Sequence, residues 1–119
     1  TESWLQAYPD LGGILCNNMS NPVGACQAVT DADKAGDIII GGMDHDLRSL
    51  NYLKDGTLYV AQVQNCYDMG YKLIWNAVKT IDGETVDEVT DVGSTSVYAD
   101  DADNYITMLY GEDADTDAE

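Results

Sequence analysis

Three stretches decide the fold: Leu11-Gly12-Gly13-Ile14-Leu15-Cys16 leading to Asn17-Asn18, Ile38-Ile39-Ile40-Gly41-Gly42 leading to Met43-Asp44-His45-Asp46, and Leu58-Tyr59-Val60-Ala61-Gln62-Val63-Gln64. Each is a short apolar run that gives way to amide or carboxylate side chains. Short apolar runs bounded by turn residues read as buried strands. Between them the spacing is helical. Pro22 suits a first helical turn with Asn21 as its cap, Val23, Cys26 and Val29 then share a face, and Gly36 is expected to end that helix. Asp44 or Asp46 is expected to cap the next helix, where Leu47, Leu50 and Leu53 share a face, and Asp55-Gly56 turns the chain into the third run. Strand, helix, strand, helix, strand is the order of a parallel sheet joined by crossover helices.

In open parallel sheets, ligands bind beyond the carboxyl ends of the strands. That rule singles out Asn17-Asn18, Asp44-His45-Asp46 and Gln62-Val63-Gln64. Carboxylate oxygens accept hydrogen bonds, and amides both donate and accept, so such a set is suited to fixing hydroxyl groups.

Outward from this nucleus, residues 4–8 read as the end of a helix stopped by Pro9. Residues 67–81 form a longer helix with Leu73, Ile74, Ala77 and Val78 inward, closed by Asp82-Gly83. Residues 85–98 are β-prone and irregular, and 102–110 form a short helix with Tyr105, Ile106 and Leu109 on one side. Trp4 and Trp75 are expected to pack on their helices. Residues 111–119 carry five acids in nine positions and are expected to be disordered.

Composition narrows the function. The 119 residues suffice for one domain or a piece of a larger one. Twenty-two acidic against five basic residues leave a net charge of −17, which repels phosphate backbones and anionic membrane surfaces. No apolar run reaches the roughly 20 residues that span a bilayer. Thr1 to Asp10 lacks a basic start and an apolar stretch, so the leader of a secreted protein would lie upstream of Thr1.

Cys16, Cys26 and Cys66 make an odd set without a CxxC pair, and His45 is the sole histidine, so the expectation is three buried free thiols and no zinc site. Asp31-Ala32-Asp33-Lys34-Ala35-Gly36 begins like a calcium loop, but its fifth position is Ala35 and its twelfth is Gly42, where an acid is required. Asp101-Ala102-Asp103 fails earlier, and no phosphate-binding GxxxxGK[ST] loop is present. Neither metal nor cofactor is expected. A cysteine nucleophile paired with His45 has no support in the spacing, and a flavodoxin-like enzyme shares only the strand pattern, so an enzyme is not expected.

Several motifs now stand in order. Tyr8-Pro9-Asp10-Leu11-Gly12-Gly13-Ile14 precedes Asn17-Asn18 and Gly24-Ala25; Gly42-Met43-Asp44 precedes a helix running to Lys54-Asp55-Gly56; Ala61-Gln62-Val63-Gln64 precedes Gly70; and Gly83-Glu84 precedes a closing segment from Val97 to Tyr110. Over residues 4–110 the chain resembles the periplasmic sugar-binding proteins of ABC transporters, of the ribose- and galactose-binding type.

The resemblance implies an α/β three-layer sandwich with a parallel sheet, part of a type I periplasmic-binding-protein fold. Residues 1–64 would belong to the C-terminal lobe, 65–95 to the hinge and part of the other lobe, and 96–110 to the closing segment, with 111–119 an acidic tail. It implies a sugar clamped between two lobes and contacted by Asn18, Asp44 and Gln64, with His45, Asn17 and Arg48 as weaker candidates.

Each has an ordinary alternative. Asn18 or Asp44 could cap a helix, Gln64 could simply end a strand, His45 could be a solvated loop residue, and Arg48 could pair with a nearby acid. Met43 stands where an aromatic is usual, Met19 where an Asp is common and His45 where a small residue is common, which leaves the sugar open. The implied partners are a small-molecule sugar and the membrane permease of an importer, with no nucleic acid, and a second copy of the chain where an isolated fragment exposes its lobe interface. The implied location is extracytoplasmic, in the periplasm or lipid-anchored at the cell surface. The alternative function is the effector-binding domain of a lactose-repressor-type transcription regulator, which shares the fold and needs a DNA-binding head upstream.

Overall fold

The structure, a computed structural model, describes residues 1–112 and Ala114. The chain divides into two compact units, one comprising Thr1–Val63 with the segment from Ser96 onward, the other Gln64–Thr95. In chain order the elements are α1 (Glu2–Ala7), β1 (Gly13–Leu15), α2 (Ser20–Asp31), β2 (Ile39–Met43), α3 (Leu47–Lys54), β3 (Val60–Gln64), α4 (Cys66–Ile81), β4 (Ser94–Val97), a 3-10 turn (Ala99–Asp101) and α5 (Ala102–Tyr110). The strands form one sheet in the order β1-β2-β3-β4. β1 and β2 run parallel with Leu15 opposite Gly41, and β2 and β3 run parallel with Met43 opposite Gln62. The three runs expected as strands are therefore the first three strands of the sheet, each starting one or two residues later than expected; β4 comes from the stretch expected to be β-prone and irregular.

The first unit holds the core. Ile14, Ile40, Ala61 and Val97 from the strands pack with Cys26 and Val29 of α2, Leu50 and Leu53 of α3, and Ala102 and Ile106 of α5. Alternation along a strand puts neighbours on opposite faces. Leu15, next to buried Ile14, is accordingly 93% exposed, and Ile39, next to Ile40, is also exposed. Gly42 is where β2 and α2 meet most closely: a Cβ there would lie 2.8 Å from Cγ of Pro22. No real Cβ contact is that short, so α2 can lie this close to the strand only over a glycine.

Helix ends differ from the sequence reading. Asn21 is not the cap of α2; the helix starts at Ser20, and the Oδ1 of Asn18 accepts from the backbone N–H of both Ser20 and Asn21. Gly36 does not end the helix either. It stops at Asp31, because Asp33 turns into the left-handed region (φ 54°) and the Lys34 N–H closes back onto the Val29 carbonyl at 2.8 Å. Asp tolerates this conformation better than most residues. Asp46 caps α3 by accepting from the Arg48 N–H.

The thiols are not uniformly buried. Cys26 is, Cys16 is half-buried and Cys66 is exposed at the start of α4. Trp4 and Trp75 are each about half exposed rather than packed (53% and 50%). The acidic tail expected at 111–119 lies for the most part outside the described residues.

The second unit is α4 and the strap that follows it. Asn65 caps α4 by accepting from the Asp68 N–H, and its Nδ2 donates to the Val92 carbonyl. Lys72 Nζ donates to the Asp91 carbonyl at 3.1 Å and Asn76 Nδ2 to the Thr90 hydroxyl at 2.8 Å. The face of α4 expected to be inward is bare: Leu73 is 68% and Ile74 65% exposed. The strap is tied to α4 by polar bonds and covers its other side, with Val86 beside Tyr71 and Trp75, and leaves that face uncovered within this unit.

Candidate functional site

The sheet dictates where the polar residues go. Because β1, β2 and β3 are parallel, their C-terminal ends leave the same edge of the sheet. Asn17 and Asn18 follow β1; Asp44, His45 and Asp46 follow β2; Arg48 lies in the first turn of α3; Gln64 is the last residue of β3.

In the first unit the two loops are built differently. The loop after β1 is exposed, and its side chains are engaged with helix α2. Asn18 Oδ1 takes the Asn21 N–H at 2.9 Å and the Ser20 N–H at 3.2 Å, and Asn17 Oδ1 accepts from Asn21 Nδ2 at 3.3 Å. The capping role and an outward-facing amide are compatible, because these bonds use the oxygen of Asn18 and leave its Nδ2 donors pointed elsewhere.

The loop after β2 is half-buried and strained. Asp44 adopts φ 73°. Asp enters that region more readily than most non-glycine residues, as Asp33 also does, and the cost here is at the low end, about 1 kcal/mol. Here its N–H donates to the Gln62 carbonyl at 3.0 Å. The conformation swings the chain out of β2 two residues before the α3 cap. Asp46 Oδ1 then accepts from the Arg48 N–H at 3.0 Å and from Arg48 Nε at 3.3 Å. Arg48 is thus the ion-pair partner of Asp46, on a solvated helix end. The Nδ1 of His45 is buried with no hydrogen-bond partner, so the ring is a half-buried packing group and not the solvated loop residue the sequence suggested.

Gln64 ends β3, one residue before the α4 cap Asn65, and is the first residue of the second unit. Two places before it, Gln62 Oε1 accepts from the Ser96 hydroxyl at 2.6 Å, fixing that amide on β4.

A cleft of about 380 Å³ lies beside the end of β1, walled by Trp4 of α1, by Leu15 and Cys16, and by Ser20, Asn21 and Gly24 of α2. Its walls do not include Asn18 or Asp44. Burial pushes the Cys16 thiol above its ordinary range, so it presents a neutral S–H to this cleft. The sequence reading missed Tyr110, whose hydroxyl donates to the His45 carbonyl at 2.7 Å across 65 positions. An aromatic residue ending a C-terminal helix carries no local signal for such a contact. No group of three or more metal-ligating side chains occurs among the described residues, and none of the described helices is long and apolar enough to cross a membrane.

Residues 1–85 match the family described as the periplasmic binding protein domain. No curated protein matches. Among solved structures, an ABC transporter solute-binding protein from Agrobacterium vitis with bound D-fucose is 32% identical, with TM-score 0.76, over 86% of this chain and 35% of that one. A carbohydrate transporter solute-binding protein from Agrobacterium radiobacter in complex with D-arabinose is 30% identical, with TM-score 0.77, over 90% of this chain and 37% of that one. A glucose-galactose binding protein from Geobacillus stearothermophilus shares the fold at TM-score 0.80 and 24% identity. The chain spans 35–37% of the length of these proteins.

Proposed function

The chain belongs to the periplasmic binding protein domain family, and from that premise we propose that it is part of a sugar-binding protein that delivers its ligand to the permease of an ABC-type importer outside the cytoplasmic membrane. It acts by binding, not by catalysis. The similar proteins carrying D-fucose and D-arabinose support a monosaccharide as the ligand class.

Residues 1–64 and 96–110 form the larger share of one lobe, and 65–95 the hinge and a piece of the other; the division into two compact units supports this reading. Sugar hydroxyls are held by Asn18, Asp44 and Gln64 at the ends of three parallel strands, and closure of the two lobes on the sugar forms the state the permease reads. His45, Asn17 and Arg48, in the same loops and the first turn of α3, are the weaker candidates for contact with the sugar. The observation that carries the reading is the left-handed backbone of Asp44 (φ 73°) at the end of a central strand. A carboxylate held there at a conformational cost is the mark of a side chain whose placement matters more than local stability.

The bare face of α4, with Leu73 and Ile74 exposed, leads us to infer that the isolated chain pairs with a second copy. Sedimentation that stays monomeric at high concentration rejects the pairing alone.

The test of the main reading is titration calorimetry with D-fucose, D-allose and D-arabinose on the full-length protein of which this chain is part, unaltered and as its Asp44→Ala variant. Binding of at least one sugar, lost in the variant while its circular dichroism is unchanged, is the expected result. Equal affinity in both proteins removes Asp44 from the site, and no binding of any of the three by the unaltered protein overturns the sugar assignment.

A further inference from the structure

Two hydrogen bonds from different elements pin the backbone on either side of the Asp44 turn. The Asp44 N–H is held by the Gln62 carbonyl of β3 at 3.0 Å. The carbonyl of the next residue, His45, accepts from the hydroxyl of Tyr110 at the end of α5, at 2.7 Å. Between those two anchors the chain takes the left-handed conformation at Asp44.

We propose that Tyr110 is a positioning residue for sugar binding: through the His45 carbonyl, α5 latches the loop after β2 and keeps Asp44 in the conformation from which its carboxylate reaches the ligand. The inference rests on the reading of Asp44 as a sugar contact.

The packing of α5 makes it a strut for this purpose. It lies along α3 in the opposite direction, since Asp103 near its start pairs with Lys54 at the end of α3 (2.6 Å), while Tyr110 at its end meets His45 just before α3 begins. Ala102 and Ile106 fix it in the core, Ile106 between those points. The rest of the loop is held independently, because Asp46 is tied to the first turn of α3. The His45 ring adds no hold through Nδ1, which is buried without a partner. The His45 carbonyl is thus a point where the turn is restrained from the α5 side, and the Tyr110 hydroxyl also lies within reach of the Leu47 backbone N–H. The hydroxyl is also kept as a donor, since burial and then the nearby Asp46 carboxylate push the ionisation of Tyr110 upward.

The experiment is Tyr110→Phe, which keeps the ring and removes the donor. Amide hydrogen exchange by NMR reads the turn directly, and calorimetry with D-fucose, D-allose and D-arabinose reads the consequence. Loss of one hydrogen bond that holds a strained turn is expected to raise the exchange rate at the Asp44 amide, and to weaken sugar binding, by about five- to tenfold each. The amides of Leu50 and Leu53 in the core serve as the control and keep their exchange rates, which separates the latch from a general loosening of the fold. Unchanged exchange at Asp44, or faster exchange spread equally over Leu50 and Leu53, overturns the proposal. So does faster exchange at Asp44 with unaltered sugar affinity. If the unaltered protein binds none of the three sugars, the sugar-binding reading fails, and the Asp44 exchange rate still decides whether Tyr110 holds the turn.

Discussion

Asn18 Oδ1 lies 2.9 Å from the backbone nitrogen of Asn21 and accepts its hydrogen, so a residue proposed to bind the ligand is also the cap of α2. The two roles use different atoms and can be separated by substitution. Asn18→Asp keeps an accepting oxygen for the cap and removes the Nδ2 donors. It is expected to unfold in urea at the same midpoint as the parent while binding sugar more weakly. Asn18→Ala loses the cap as well, at about 1 kcal/mol. If the Asp variant binds sugar as tightly as the parent, Asn18 is a cap and nothing more.

Asp44 pays for its position in local strain, and glycine takes φ 73° freely. Asp44→Gly is therefore expected to stay within about 1 kcal/mol of the parent, the relief being offset by the greater freedom of glycine in the unfolded chain and by the loss of the side chain's own contacts. The same variant is expected to lose sugar binding. Stability kept with function lost identifies a residue held for its chemistry. A variant that is clearly less stable shows instead that contacts of the Asp44 side chain hold the loop.

Much of the first unit's fold was legible because β1, β2 and β3 are each apolar enough to be read without their neighbours, whereas β4, Ser94–Val97, is largely polar and was not. Leu50 and Leu53, three apart on α3, and Cys26 and Val29 on α2 are likewise spaced so that only a helix buries them together. Legibility failed where tertiary context decided. Leu73, Ile74, Ala77 and Val78 also follow helical spacing, yet Leu73 and Ile74 are bare, since periodicity reports which face wants burial and not whether anything covers it. The end of α2 was misplaced because the left-handed turn falls to Asp33 and not to the obvious Gly36. Of the site, the strand-end residues followed from the parallel-sheet rule. The strain at Asp44 and the reach of Tyr110 did not, because both depend on which groups the folded chain brings together.

Cys26 sets an alkaline limit on stability. Burial, followed by the influence of Cys16 and then Asp55, pushes its thiol from an ordinary 9.0 up to about 12. Between those values the unfolded chain gives up the thiol proton and the folded one retains it. The unfolded state then binds fewer protons, and the slope of stability with pH is negative. The contribution of Cys26 is complete below pH 9 and is lost as pH rises toward 12. Denaturation midpoints are expected to fall over that window, less steeply in Cys26→Ala. At pH 8, iodoacetamide is expected to label exposed Cys66 first and to spare Cys26 until the chain unfolds. Equal labelling of the two thiols in the folded protein contradicts this burial.

The strut α5 has attachments of unequal weight. Ile106 is 4% exposed and sits among Leu50, Leu53 and Val97 in the core cluster. Truncating such a side chain removes apolar burial and leaves a cavity, so Ile106→Ala is expected to cost about 2–4 kcal/mol. The Lys54–Asp103 pair is short at 2.6 Å, but its side chains are 47% and 71% exposed. Water screens it, and Asp103→Ala is expected to cost less than about 1 kcal/mol, falling further with added salt. Urea unfolding of the two variants at low and high salt ranks them. If Asp103→Ala proves the more damaging, α5 is held by charge at its start and not by its apolar face. Tyr110 would then sit on an arm whose position shifts with ionic strength, and sugar affinity would shift with it.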